Sequence, residues 1–217
     1  MNVIVVGASG FGRELLQYVQ DAHRNTAGIR IKGFLDDDPA KAGGGVVGDT
    51  STYPIAEDDR FVISLGDAGL RRALAERLSR RGARFVSIVH PTAYVAPSAR
   101  IGDGCIVAPF AHVGAYAQVG DHVLLNVHSS AGHDSRIGPY CVCSPYSVVN
   151  GGSELGAGVF LGTHATITPE IRVGAGSRVA AGAAVYRDVP GGSLAAGNPA
   201  RAFSLAETGS SSQLEQR

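Results

Sequence analysis

From Val95 onward an aliphatic residue returns at every sixth position, and no other feature narrows the possible folds as far. The series runs Val95, Ile101, Val107, Val113, Val119, Leu125, Ala131, Ile137, Cys143, Val149, Leu155, Leu161, Ile167, Val173, Val179 and Val185. Four residues after each comes a second series, from Ala99, Cys105 and Ala111 to Ala183 and Val189, with nothing larger than Ile. Small residues usually follow the aliphatic directly, as at Gly102, Gly114, Gly120, Gly138, Gly156, Gly162 and Gly174. One hexapeptide is thus a short strand plus a corner. The aliphatic fills the inside, and the glycine after it is expected to supply the positive φ of a tight turn. A single unit cannot bury its own face, so coils stack into one continuous core. Cys105, Cys141 and Cys143 all fall in inward series and read as small core residues, not as a redox pair or zinc ligands.

The first third has a different grammar. Val3–Val6 is a buried-strand run, followed by Gly7-Ala8-Ser9-Gly10-Phe11-Gly12 and a helical pattern with Leu15, Leu16 and Val19 on one face. Residues 29–35 read as a second strand ending in Asp36-Asp37-Asp38-Pro39, where the proline stops it. A third strand is expected over 61–65, a helix over 68–81 and a strand over 84–89. Alternating strands and helices define an α/β, Rossmann-like domain. The expected organisation is therefore a Rossmann-like domain over 1–89, a domain of stacked hexapeptide coils over 90–203, and a polar tail over 204–217 expected to be disordered.

Charge excludes several partners. Nineteen basic and nineteen acidic side chains cancel, and no Lys/Arg block occurs, so neither nucleic acid nor an anionic membrane is an expected partner. No window approaches the roughly 18 apolar residues of a membrane span. The start, Met1 to Gly7, lacks a basic leader pattern, and three cysteines cannot pair evenly; both point to the cytoplasm.

Gly7-x-x-Gly10-x-Gly12 lies between a strand and a helix N-terminus, where backbone N–H groups favour an anion. Its spacing is not G-x-G-x-x-G, and Asp36 lies 29 residues past Gly7 instead of the usual ~20, which argues against a nicotinamide cofactor. A nucleotide-like phosphate ligand at Gly10 and Phe11 is one reading; a tight turn without ligand is the other. Asp36 and Asp37 end the next strand at the same edge, placed to accept hydrogen bonds from a base or sugar.

His133, in Ala131-Gly132-His133-Asp134, falls two places after an inward residue and so on an outward or corner position. An imidazole titrating near about 6.5 is a good base at neutral pH, and an adjacent carboxylate orients it. Taken alone, such a dipeptide is more often a solvated surface pair. The combination of Gly-Ala-Ser-Gly-x-Gly, Phe34-Leu35-Asp36-Asp37, Ser129-Ser130-x-x-His133-Asp134 and Gly197-Asn198-Pro199-Ala200-Arg201 resembles the hexapeptide-repeat acyltransferases of the sialic acid O-acetyltransferase and UDP-4-amino-sugar N-acetyltransferase type. The resemblance covers residues 1 to about 203. It implies a left-handed parallel β-helix of three hexapeptides per coil, a little over five coils here, and acetyl-CoA as co-substrate. It further implies that the 1–89 domain binds a sugar or nucleotide-sugar acceptor, that the β-helix over 90–203 is the acyltransferase domain, and that the protein is a homotrimer with each site between two β-helices. By the same resemblance His133 takes the acceptor's proton, Asp134 supports it and Asn126 lines the site. The Gly151 N–H would hold the acetyl oxygen. Acetyl-CoA would run near Val142, Gly151, Thr163 and Ala181, with Arg201 meeting a phosphate.

The chain departs from the UDP-sugar subgroup at Phe11 and Val142, where that subgroup has histidines. Two rival readings remain. His128 and His133 share the His-x4-His spacing of γ-class carbonic anhydrases, but Thr92 stands where a third zinc ligand would be, leaving a catalytic site one ligand short. Alternatively, the β-helix only trimerises a nucleotide-binding domain and catalyses nothing.

Overall fold

The structure, a computed structural model, describes residues 1–24, 28–41 and 44–205. The tail residues 206–217 lie outside the described residues.

The N-terminal domain is built on β1 (Asn2–Val6), α1 (Gly10–His23), β2 (Arg30–Leu35), β3 (Val46–Gly48), β4 (Asp59–Ile63) and α2 (Ala68–Arg80). Its four strands are parallel in the order β3-β2-β1-β4. Val3 to Val6 are all buried, as a parallel strand covered on both faces requires. Alternate side chains serve opposite faces: Val3 and Val5 pack with Leu15 and Val19 of α1, while Ile4 and Val6 pack with Ala75 and Leu78 of α2. The three-residue edge strand β3, behind Gly44 and Gly45, was not expected; it is too short to show a period. The strand expected over 84–89 is divided. Phe85 makes a single parallel bridge to Phe61, whereas β5 (Ile88–Val89) leaves the sheet and pairs with Ile106–Val107. Val89 lies six residues before Val95, so the repeat has already begun there.

From β5 onward the chain winds into a parallel β-helix of about six turns. Paired residues are 18 apart, as in Gln118↔Arg136, Leu124↔Val142 and Ser130↔Val148, so three hexapeptides make one coil. The count exceeds the expected five and a fraction because Ile88–Val89 adds a rung at the start and Ser193–Gly197 another at the end. The prism has three faces. The domain face runs from Ile88–Val89 through Ile106–Val107, Leu124–Leu125, Val142–Cys143 and Phe160–Leu161 to Arg178–Val179. The open face runs from Tyr94–Val95 to Ala184–Val185, and the charged face from Arg100–Ile101 to Arg172–Val173. All three cysteines are buried and free.

The corners correct one expectation. Positive φ does not fall on the glycine after each aliphatic. It falls three residues after the aliphatic, at Phe110, Tyr116, His122, His128, Asp134, Tyr140, Tyr146, His164 and Glu170. On the corner between the domain and open faces these rings stack coil upon coil: Phe110–His128 at 4.9 Å, His128–Tyr146 at 4.7 Å and Tyr146–His164 at 4.9 Å. Such stacking offsets part of the cost of left-handed backbone at residues carrying a Cβ. The glycines directly after the aliphatics answer a different demand, the close approach of neighbouring coils. A Cβ on Gly138 would stand 2.7 Å from the Ala157 nitrogen.

The two domains share one apolar seam. Outward residues Ile88, Ile106, Leu124 and Val142 of the domain face are buried in the same cluster as Val3, Val5, Leu15 and Val19, each contributing roughly 1.5–3 kcal/mol. Arg71 of α2 clamps the seam. Its guanidinium, 2% exposed, donates to the carbonyls of His122, Leu65, Gly66, Tyr140 and Cys141. Burial lowers its pKa to about 10.

Candidate active site

His133 stands where the open face turns into the charged face. The corner is locked to its neighbours: Asp134 N–H donates to the Ala115 carbonyl and Gly152 N–H to the His133 carbonyl, each at 2.9 Å. His133 Nδ1 lies 2.9 Å from Asp134 Oδ2. An ionised carboxylate only accepts, so this bond puts the proton on Nδ1 and leaves the Nε2 lone pair free. That nitrogen sits over Gly151 of the next coil, where a Cβ would be 2.4 Å from Nε2. The Gly151 N–H makes no hydrogen bond among the described residues, leaving a donor beside the imidazole. Pro169 and Glu170 complete a depression of about 260 Å³ with His133, Asp134, Gly151 and Gly152. The imidazole is 73% exposed and the carboxylate 62%. The depression is open to solvent and smaller than the ~300–1,000 Å³ that drug-sized ligands occupy.

The glycine loop lies at the carboxyl ends of β1 and β4, at the reversal of strand order where α/β sheets place ligands. Gly7 and Gly12 are required by the turn itself: a Cβ on Gly12 would overlap the Gly7 carbonyl, while one on Gly10 meets nothing within 4 Å. Space for a ligand is thus open at Gly10. Phe11 is half-buried against the seam between the domains. Asp36 is held by the protein itself, accepting from Ala8 N–H at 2.7 Å, Asp38 N–H at 3.0 Å and Lys41 Nζ at 3.1 Å. Burial would raise its pKa, yet these donors keep it below the ordinary carboxylate range. It shapes the loop from behind. Asp37 accepts from the Thr50 N–H and hydroxyl, both at 2.7 Å, and pairs with Arg77; its pKa also falls, against the effect of burial.

The remaining expected residues are distributed over the prism. Asn126, Thr163 and Ala181 lie on the corner between the domain and open faces, where Asn126 Oδ1 accepts its neighbour Val127's N–H at 2.7 Å. Thr163 and Ala181 are exposed, one coil apart. Val142 is 3% exposed beneath the N-terminal domain, so its side chain meets the α/β core, not solvent. Arg201 is exposed on the strand Ala200–Ser204, which returns antiparallel to Ser193–Gly197. Within one chain, then, the structure joins Gly151 to His133 and Asp134 and leaves the others on the next corner or beyond it. Two residues escaped sequence reasoning. Arg71 looks like any helical arginine, and Glu170 joins His133 only through the 18-residue coil.

His128 and His133 occupy different corners of one chain, and no three His, Cys, Asp or Glu side chains among the described residues come together to hold a metal. Among the described residues no helix is long and apolar enough to cross a membrane.

Residues 2–78 match the PglD N-terminal domain family. Over 113 residues the chain is 34% identical to UDP-N-acetylbacillosamine N-acetyltransferase of Bacillus subtilis, a match spanning 49% of this chain and 50% of that protein. The whole described architecture recurs in solved structures. The acetyltransferase domain of PglB from Neisseria gonorrhoeae superposes with a TM-score of 0.85 at 29% identity, covering 93% of this chain and 99% of that one. PerB from Caulobacter crescentus, solved in complex with CoA and GDP-perosamine, gives 0.85 at 32% identity, covering 94% and 97%. A Rossmann-like domain seated on a hexapeptide β-helix, with an imidazole–carboxylate pair at a corner, defines a two-domain hexapeptide acyltransferase. The chain belongs to the hexapeptide-repeat sugar N-acetyltransferase family.

Proposed function

We propose that this chain transfers the acetyl group of acetyl-CoA to the amino group of a nucleotide-linked sugar, with His133 as general base. The observation that carries the reading is the divided imidazole: Nδ1 engaged by Asp134 and Nε2 free above Gly151. An amine placed against Nε2 loses a proton to it and attacks the thioester carbonyl. The N–C bond forms and the C–S bond breaks. The proton held on Nε2 passes to the departing CoA thiolate. The Gly151 N–H takes the charge developing on the acetyl oxygen, a role that often supplies the largest share of acyl-transfer catalysis. Attack is direct, with no acyl-enzyme. Burial pushes the thiols of Cys105 and Cys141 up to about 11 and about 12, far from the reactive thiolate range, and Cys143 is raised by the same cause.

In this reading the nucleotide lies at the glycine loop, its phosphate near Gly10 and Phe11, with Asp36 and Asp37 holding the loop in shape. Three chains assemble so that the His133 corner of one faces the Asn126–Thr163–Ala181 corner of a neighbour. This gives the depression its second wall and acetyl-CoA a channel ending near Arg201. The exposed aromatics Tyr94, Phe110 and Tyr146 on the open face and its edge suit such a contact. PerB's GDP-perosamine and the bacillosamine enzyme's name make amino-sugar nucleotides the acceptors to try first.

The test is thiol release from acetyl-CoA across UDP-, dTDP- and GDP-linked amino sugars, including GDP-perosamine, with sialic acid as a hydroxyl acceptor. Acceptor-dependent release with an amino-sugar nucleotide is expected, from protein that sizes at three times the mass of one chain. No release with any member of the panel, or a strict monomer, would contradict the proposal.

A further inference from the structure

The depression around His133 contains a second carboxylate that the mechanism above does not use. Glu170 stands on the same corner as Asp134, two coils further on, with Gly152 between them. Because Gly152 has no side chain, Glu170 leans over it: a Cβ at Gly152 would lie 3.4 Å from Glu170 Cγ. The side chain thus lies along the corner and lines the depression that holds the imidazole. Nearby acids elsewhere on the prism are engaged, Asp134 by His133, Glu154 by Arg172 and Asp188 by the Arg172 N–H. The Glu170 carboxylate makes no hydrogen bond or ion pair among the described residues. Its backbone has positive φ, 63°, a conformation that costs a residue with a Cβ more than it costs glycine. Most other non-glycine residues in that conformation recover the cost by ring stacking; Glu170 has no ring.

We infer that Glu170 is the residue that selects an amine over a hydroxyl acceptor, by attracting the sugar ammonium into the depression beside His133. The inference rests on the proposed acetyl transfer. An amino sugar reaches the site largely protonated. Two carboxylates lining the depression that holds the imidazole favour that cation and give no comparable gain to a neutral hydroxyl. The ammonium sheds its first proton to solvent, and the neutral amine that remains, already positioned, is the nucleophile whose second proton His133 takes. Glu170 therefore acts on acceptor binding, and His133 on turnover.

Steady-state kinetics of Glu170→Gln, Glu170→Asp and Glu170→Gly would decide it, using the amino-sugar nucleotide of the panel that turns over fastest. The counterpart is the same nucleotide sugar with a hydroxyl in place of the amine, as a competitive inhibitor. Glu170→Gln is expected to raise KM for the amine roughly tenfold, the size of one charge-assisted hydrogen bond, with kcat within about twofold of the parent. Inhibition by the hydroxyl analogue should not change, and Glu170→Asp should restore part of the loss. Glu170→Gly, at ease with positive φ, should fold as stably as the parent and show the same raised KM. Unchanged KM in Glu170→Gln and Glu170→Gly would overturn this inference alone. Absence of turnover by the parent with every amino sugar would overturn the proposed function.

Discussion

In the proposed mechanism His133 serves as the base because its two nitrogens meet different surroundings, a carboxylate at Nδ1 and open space over a glycine at Nε2. Gly151 is as much a part of this arrangement as Asp134. Gly151→Ala would place a methyl group within 2.4 Å of Nε2, and the ring, being the far end of a side chain, would swing away. Turnover should fall about 100-fold, as expected of a reacting group displaced by about an ångström, while the thermal unfolding midpoint stays within a few degrees. Full activity in that variant would show that the ring need not sit over residue 151. The pairing of His133 with Asp134 was legible in the chain because the two are adjacent and the hexapeptide count puts both on a corner. Glu170 was not, since only coil stacking brings it near them. Asp36 shows a different gap. Its place at a strand end was read correctly, but its carboxylate already serves Ala8, Asp38 and Lys41, and no pattern along the chain announces those donors.

Periodicity made the β-helix legible residue by residue, yet it misplaced the physics of the corner. A run of small residues after each aliphatic looks like turn chemistry. In the structure it is clearance for the next coil, and the turn itself is made by residues with side chains. A second signal in the chain has a period of 18, which a six-residue count passes over. The outward residues of every third rung, Ile88, Ile106, Leu124 and Val142, are apolar, and these are the rungs the N-terminal domain covers. In that domain the short strands depend on buried polar anchors. Asp59 accepts from Asn2, Lys32, Tyr53 and the Ala56 N–H. Burial alone would raise its pKa, but these donors lower it below the ordinary 3.8. A carboxylate depressed in the folded state binds fewer protons than in the unfolded chain. Its stabilisation is complete above the ordinary value and is lost as pH falls through the folded one. Denaturant unfolding followed from pH 7 to pH 3 should show stability dropping as pH falls below about 4. Asp59→Asn should be less stable at pH 7 and lose less on acidification. Parallel pH profiles for the two proteins would contradict the assignment.

At the scale of the molecule, one apolar seam and one buried guanidinium hold the N-terminal domain on the prism. Arg71 reaches carbonyls of both domains, so the position of the glycine loop relative to the β-helix is set by the fold. His133 lies on a corner that the chain's own N-terminal domain does not cover, which is why the proposed site requires a neighbouring copy. The proposed chemistry depends most on His133 removing a proton from an acceptor attacking acetyl-CoA. The direct measurement is thiol release at saturating acetyl-CoA and amino-sugar nucleotide by the parent and by His133→Ala, with acetyl-CoA affinity measured separately by calorimetry. The expected result is a fall in kcat of roughly 10²–10⁴ with acetyl-CoA affinity unchanged; turnover equal to the parent's would contradict it.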